Sequence, residues 1–183
     1  MRWLCLLIVW LGVSGCVGFK ASVPVDSGQW QAKGRVAVRH GAESRTGQFI
    51  WQHRGYNDFT VRVFGPWGVY PSELTQQPSG ARLQVAGQGP VEAFSADDLS
   101  AQLLGVRLPV HSMTWWARGL SDPAHSMVAC DEHENGEIPS CFDQLGWRVN
   151  VQYDAESASP WPRKVRMTSS NTRAILVFHE WSQ

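Results

Sequence analysis

From residue 35 onward the chain repeats one theme: apolar side chains at every second position, separated by turn-forming stretches. Val36 and Val38 alternate with Arg35, Ala37 and Arg39, and Phe49 and Trp51 follow a glycine-containing break. Phe59, Val61 and Val63 alternate with Thr60 and Arg62, and Leu83 and Val85 with Arg82 and Gln84. Late in the chain Trp147, Val149, Val151 and Tyr153 share one face against Arg148, Asn150 and Gln152. Val165 and Met167 come next, then Ile175, Val177, His179 and Trp181. A period of two, punctuated by Pro78-Ser79-Gly80 and Gly87-Gln88-Gly89-Pro90, predicts an antiparallel sheet with one apolar face.

The middle of the chain breaks that period. Ser95 stands where a helix cap belongs, with Asp98 three residues on; Leu99, Leu103 and Leu104 lie near one stripe, and Gly105 is placed to end it. Pro109 suits the first turn of a second short helix that carries Met113, Trp115 and Trp116 and stops near Gly119. Adjacent helical residues point about 100° apart, so the two tryptophans cannot share a neighbour, and one is expected to face inward. Two short helices cannot cover the apolar face of seven or more strands. The sheet either closes as a filled barrel or encloses something beneath a helical lid, and periodicity leaves both open.

Ahead of this body lie Arg2 and an apolar run from Trp3 to Val13. A membrane-spanning helix needs roughly 20 apolar residues, so the run is too short to stay in a bilayer and fits a secretory signal peptide. Val13-Ser14-Gly15-Cys16 then puts a thiol where cleavage should fall. The stretch resembles a bacterial lipobox, with Val13 in place of the usual Leu, which implies that Cys16 is lipidated and heads the mature chain. A plain signal peptide with an incidental cysteine is the alternative. Val17, not Asp, follows Cys16, which favours the outer membrane over the inner. Residues 1–15 are therefore expected to be a lipoprotein signal peptide, 16–28 a lipidated tether, and 29–183 one folded domain.

Charge and composition narrow the partners. The chain holds 16 Lys and Arg against 16 Asp and Glu, and cleavage would remove only Arg2, so nucleic acid is not an expected partner. Trp30, Trp51, Trp67, Trp115, Trp116, Trp147, Trp161 and Trp181 remain in the mature chain. Such rings serve either a core or an apolar–wet interface. Once Cys5 is removed and Cys16 lipidated, Cys130 and Cys141 remain. In an oxidising compartment a disulfide between them is the first reading, worth about 3 kcal/mol by loop entropy. A metal site of His125, Cys130, His133 and Cys141 is the alternative, but those spacings match no compact zinc signature, and no metal or cofactor is expected.

Several stretches, taken in order, resemble the LolB family. They are Trp30 with Gly34-Arg35-Val36-Ala37-Val38-Arg39, then Gly47-Gln48-Phe49-Ile50-Trp51, then Gly65-Pro66-Trp67-Gly68. Gly105-Val106-Arg107-Leu108-Pro109-Val110 follows, leading to Trp116 and Gly119. Gln144-Leu145-Gly146-Trp147-Arg148-Val149-Asn150-Val151-Gln152-Tyr153 and a strand ending at Trp181 complete the series. The resemblance implies a mainly β, α+β fold: a curved, unclosed antiparallel β-barrel with short helices as a lid over an apolar cavity. It also implies a lipid-anchored protein of the outer membrane, facing the periplasm, that accepts lipoproteins from a periplasmic LolA-like carrier and inserts them into that membrane. The cavity would hold their acyl chains, since each methylene left in water costs about 0.8 kcal/mol. By resemblance the inward candidates are Val36, Val38, Phe49, Trp51, Phe59, Val61, Val63, Leu99, Leu103, Trp116, Val149, Val151 and Ile175. Trp67, flanked by Gly65, Pro66 and Gly68, takes the position of the family's protruding membrane-insertion loop.

Two other functions compete. An envelope lipid hydrolase would need a nucleophile and base, yet Gly-x-Ser-x-Gly is absent from the mature chain and its histidines are scattered, so an enzyme is not expected. A structural or assembly lipoprotein would have a filled core. No phosphate-binding loop is present, so transfer would run downhill in affinity, and the chain is expected to act as a monomer.

Overall fold

The fold is known from a computed structural model, which describes residues 28–65, 71–130, 140–155 and 159–183. Eleven antiparallel strands form one sheet. They are β1 (Trp30–His40), β2 (Glu43–Gly55), β3 (Asp58–Phe64), β4 (Ser72–Gln77), β5 (Gly80–Val85), β6 (Val91–Ala93), β7 (Val128–Ala129), β8 (Cys141–Gln144), β9 (Trp147–Gln152), β10 (Lys164–Thr168) and β11 (Thr172–Ser182). Helices α1 (Ala96–Leu104) and α2 (Val110–Trp116) lie between β6 and β7 in the chain. The spatial order β6-β5-β4-β3-β2-β1-β11-β10-β9-β8-β7 places the first and last strands side by side at the centre. The sheet is therefore unclosed, with β6 and β7 as its edges, and the helical segment carries the chain from one edge to the other.

Alternation builds the concave wall. Along β1, Trp30, Ala32, Gly34 and Val38 are buried while Arg35 and Arg39 are exposed. Opposite them β2 buries Phe49, Trp51 and His53; β9 buries Trp147, Val149 and Val151, and β10 buries Val165 and Met167. Gly34 has a specific reason to lack a side chain: a Cβ there would strike the Val177 carbonyl and the Phe49 ring. The ring of Phe49 thus lies across β1.

β11 reverses the expected face. Ala174, Leu176 and Phe178 are buried, whereas Ile175 and Val177 stand on the outer side of the sheet. Both alternating sets of this central strand are apolar, so a period of two does not choose between them. Nor does alternation announce β4 and β8, whose buried positions include the polar Ser72, Gln76 and Gln144.

The helices begin and end where the sequence places them. Ser95 Oγ accepts the Asp98 N–H (3.3 Å), and Gly105, at φ 75°, closes α1 in the left-handed region that glycine tolerates. Both tryptophans of α2 are buried, where one was expected to be. Trp116 donates its Nε1–H to Gln144 Oε1 (2.7 Å), while Trp115 lies beneath the Arg118 guanidinium, 4.9 Å from the ring centre. Cys130 and Cys141 form a disulfide with their Cα atoms 5.3 Å apart. Among the described residues no three His, Cys, Asp or Glu side chains gather as a metal site, and no helix is long and apolar enough to cross a membrane.

Candidate functional site

The concave face is solid at one end and hollow toward the other. Where β1 begins, rings fill the space: Trp30 lies 5.7 Å from Trp51 and 5.5 Å from Trp181, and stacks on His53 at 5.2 Å. Phe178 adds a contact of 4.6 Å with Trp181. Toward the turn joining β1 to β2 the same face carries smaller groups. β1 offers Val36 and Val38, β2 Gly47, β3 Val61 and Val63, β4 Leu74 and β11 Leu176. The missing volume becomes a cavity of about 110 Å³, covered by Leu103 and Leu104 of α1 and by Val110 and Met113 of α2. Phe49 and Trp51 close it toward the aromatic end, and Arg45 and Thr46 supply its polar rim.

The cavity brings together Val36, Val38, Phe49, Trp51, Val61, Val63 and Leu103 of the residues singled out in the sequence. Phe59, Leu99, Trp116, Val149 and Val151 are buried in the packed core and do not line it. Ile175 is turned to the outer face for the reason given above. Reasoning from sequence did not single out Leu74, Leu104, Val110, Met113 and Leu176 as lining. The three-residue spacing of Val110 and Met113 on one short helix was the available signal for two of them. Gly65 is described at the end of β3, whereas Cys16, Pro66, Trp67 and Gly68 lie outside the described residues, as does His133.

Polar bonds fix the helices above the cavity. Asp97 Oδ1 accepts the His111 N–H (3.1 Å) and so joins α1 to α2; burial pushes its carboxyl above the ordinary 3.8. Ser100 Oγ accepts the Leu108 N–H at 2.7 Å. Gln144 is the buried hub beneath α2. Its Oε1 accepts from Trp116 and from the Asp122 N–H (2.9 Å), and its Nε2 donates to the carbonyls of Asp122 and His125 (2.9 and 2.8 Å). Ser112 Oγ donates to Asp122 Oδ2 (2.7 Å), and His125 Nε2 stands 3.8 Å from that same oxygen. A hydrolytic triad sets histidine between serine and acid. Here the acid holds the serine directly, which leaves the hydroxyl a structural donor.

An unclosed antiparallel sheet with two helices over an apolar hollow defines the class of protein. The fold is shared with a LolA superfamily protein from Nitrosomonas europaea, at a TM-score of 0.52 and 10% identity, over 87% of this chain and 86% of that one. A family model described as "Outer membrane lipoprotein LolB" matches residues 28–181. The chain is 32% identical over 154 residues to the outer-membrane lipoprotein LolB of Stutzerimonas stutzeri, covering 83% of this chain and 73% of that one. It is 31% identical over 189 residues to the LolB of Pseudomonas fluorescens strain Pf0-1, covering 92% and 90%. The chain belongs to the LolB family of outer-membrane lipoproteins. Its role therefore lies in lipoprotein localisation.

Proposed function

We propose that this chain takes the acyl chains of a lipoprotein from a soluble LolA-like carrier and delivers them to the outer membrane. It would act as a monomer, anchored through Cys16 on the periplasmic side, with residues 16–28 as tether and residues 29–183 as the working domain. The observation that carries this reading is the apolar cavity beneath α1 and α2, walled by the sheet and polar only at its rim. A structural lipoprotein would need that volume filled. An apolar cavity of about 150 Å³ accepts one benzene, so about 110 Å³ is too small for an acyl chain, and the helices must shift to admit one. Delivery would fall to the loop of Gly65, Pro66, Trp67 and Gly68, since an indole partitions well into the bilayer interface.

The test uses the unlipidated mature chain, residues 16–183, which keeps every described residue. Offered a carrier loaded with fluorescent lipoprotein, it is expected to capture the cargo in a pull-down. Val63→Trp, which fills the cavity from the half-buried wall, is expected to lower capture at least about tenfold while far-ultraviolet dichroism is retained. No capture by the parent chain, or equal capture by a folded Val63→Trp, would overturn the reading.

A further inference from the structure

The outer face of the sheet is uneven in charge. From β2 to β6 every arginine on that face stands beside an acid: Arg54 is 2.7 Å from Asp58, Arg62 2.6 Å from Glu73 and Arg82 4.0 Å from Glu92. Across β1, β11, β10 and β9 pairing is confined to the margins, Lys33 with Glu180 (2.9 Å) at one end and Arg148 with Asp143 at the other. Strand register sets Arg39, Arg173, Thr168 and Arg148 in one row; two residues along come Ala37, Ile175, Arg166 and Asn150, and two further Arg35, Val177, Lys164 and Gln152. No acid occupies any of these positions. Arg148 is held by Asp143 through two bonds of 2.9 Å, and Arg39 Nε donates to the Gly41 carbonyl. Among the described residues Arg35, Arg39, Lys164, Arg166 and Arg173 have no ion pair.

Strand spacings of about 4.8 Å and two-residue steps of about 6.7 Å make this patch roughly 14 Å on a side. Five cations without an ion pair gather there on a chain with no net charge. Arg39 lies directly opposite Arg173, a like-charge pair that costs stability until an anion sits between them. Ala37, Ile175 and Val177 put apolar surface among the cations, and open hollows of about 560 and 610 Å³ lie along the patch. A surface that offers cations around half-buried aliphatic groups suits the interface of a bilayer, where phosphates and acyl boundary lie together. Membership of an outer-membrane lipoprotein family keeps such a bilayer within reach.

We infer that this convex face docks on the anionic phosphates of a phospholipid bilayer and so sets the orientation of the domain on the membrane. The inference rests on location in the outer membrane and not on acyl-chain transfer, so each can fail without the other. The unlipidated mature chain is mixed with vesicles of phosphatidylcholine alone or doped with phosphatidylglycerol, and binding is read by co-sedimentation. Each basic residue near an anionic surface contributes about fivefold in affinity. Phosphatidylglycerol is therefore expected to raise binding at least about tenfold, an increment that Arg166→Glu with Arg173→Glu abolishes and that salt screens. Arg62→Gln, in a paired position, is expected to change it less than about twofold. If the double glutamate chain fails to fold, Arg166→Gln with Arg173→Gln gives the same reading in weaker form. Equal binding of the parent chain to both vesicle types overturns the inference, as does a folded double variant that keeps the increment. Loss of capture from the carrier with the vesicle increment intact also overturns it, because the patch would then serve a protein partner.

Discussion

Gln144 shows how much a single polar residue can decide inside an apolar domain. Its amide makes four bonds between α2, the segment after it and β8, three of them buried and the fourth, to the His125 carbonyl, part-buried. Gln144→Ala would strand the Trp116 and Asp122 donors and two carbonyls, each orphan costing about 1–3 kcal/mol where no water reaches it. A loss of about 3 kcal/mol in urea unfolding is expected, and a loss below about 1 kcal/mol would show that water replaces the amide. Asp97 makes the complementary case through pH. Burial raises its folded pKa above the 3.8 of the free side chain. Its contribution is therefore full below about pH 3.8 and declines as pH rises through the higher folded value. Asp97→Asn keeps an acceptor for the His111 N–H and removes that decline. The parent chain is expected to lose stability relative to the variant as pH rises above 3.8, seen as diverging urea midpoints; parallel midpoints would assign the carboxyl no such role.

At the scale of elements, legibility followed the contrast between the two faces. β1, β3 and β9 alternate apolar with charged or polar residues, so both existence and inward face were readable. α1 was readable from its ends, because Ser95, Asp98 and Gly105 satisfy or terminate backbone groups that any helix leaves open. β11 was readable as a strand but not as a face, since Ile175 and Val177 look as buried as Ala174 and Leu176. β4 and β8 were hidden because burial there falls on Ser72, Gln76 and Gln144, whose partners are distant in sequence: Gln76 Oε1 accepts the Ala96 N–H at 2.8 Å. The cavity was half legible for a related reason. Which valines face inward is a matter of period, but whether they meet a neighbour or a void depends on how α1 and α2 sit. The disulfide between Cys130 and Cys141, 11 positions apart, stabilises β7 and β8 at the sheet edge chiefly by restricting the unfolded loop. Replacing both cysteines by serine is expected to cost about 3 kcal/mol on loop entropy. Thermal melts of the variant and of the reduced parent should agree.

The whole molecule is a sheet with two free edges and one strap. α1 is tied to the β4 side through the bond from the Ala96 N–H to Gln76, and α2 to the β8 side through the Gln144 hub. Asp97 joins the helices to each other, and Ser100 ties α1 to the linker ahead of α2. Central β1, β2 and β11 cannot yield, because each is bonded on both sides. On the proposed function an incoming acyl chain would have to gain its volume at the strap, and the weaker attachment is that of α1, whose Leu103 and Leu104 are only half buried over the cavity. The displaced apolar contacts would be offset by those the acyl chain makes with the same wall, so the opened form would be stable only while loaded. Amide hydrogen exchange separates this from a rigid pocket. With a long-chain fatty acid bound, the amides of α1 should exchange several-fold faster than in the empty domain, while those of β1, β2 and β11 keep their protection and α2 stays held by Gln144. If α1 kept its protection in a domain shown to be loaded, the fatty chain would have to lie outside the hollow, and the strap would be a fixed brace between the two sides of the sheet.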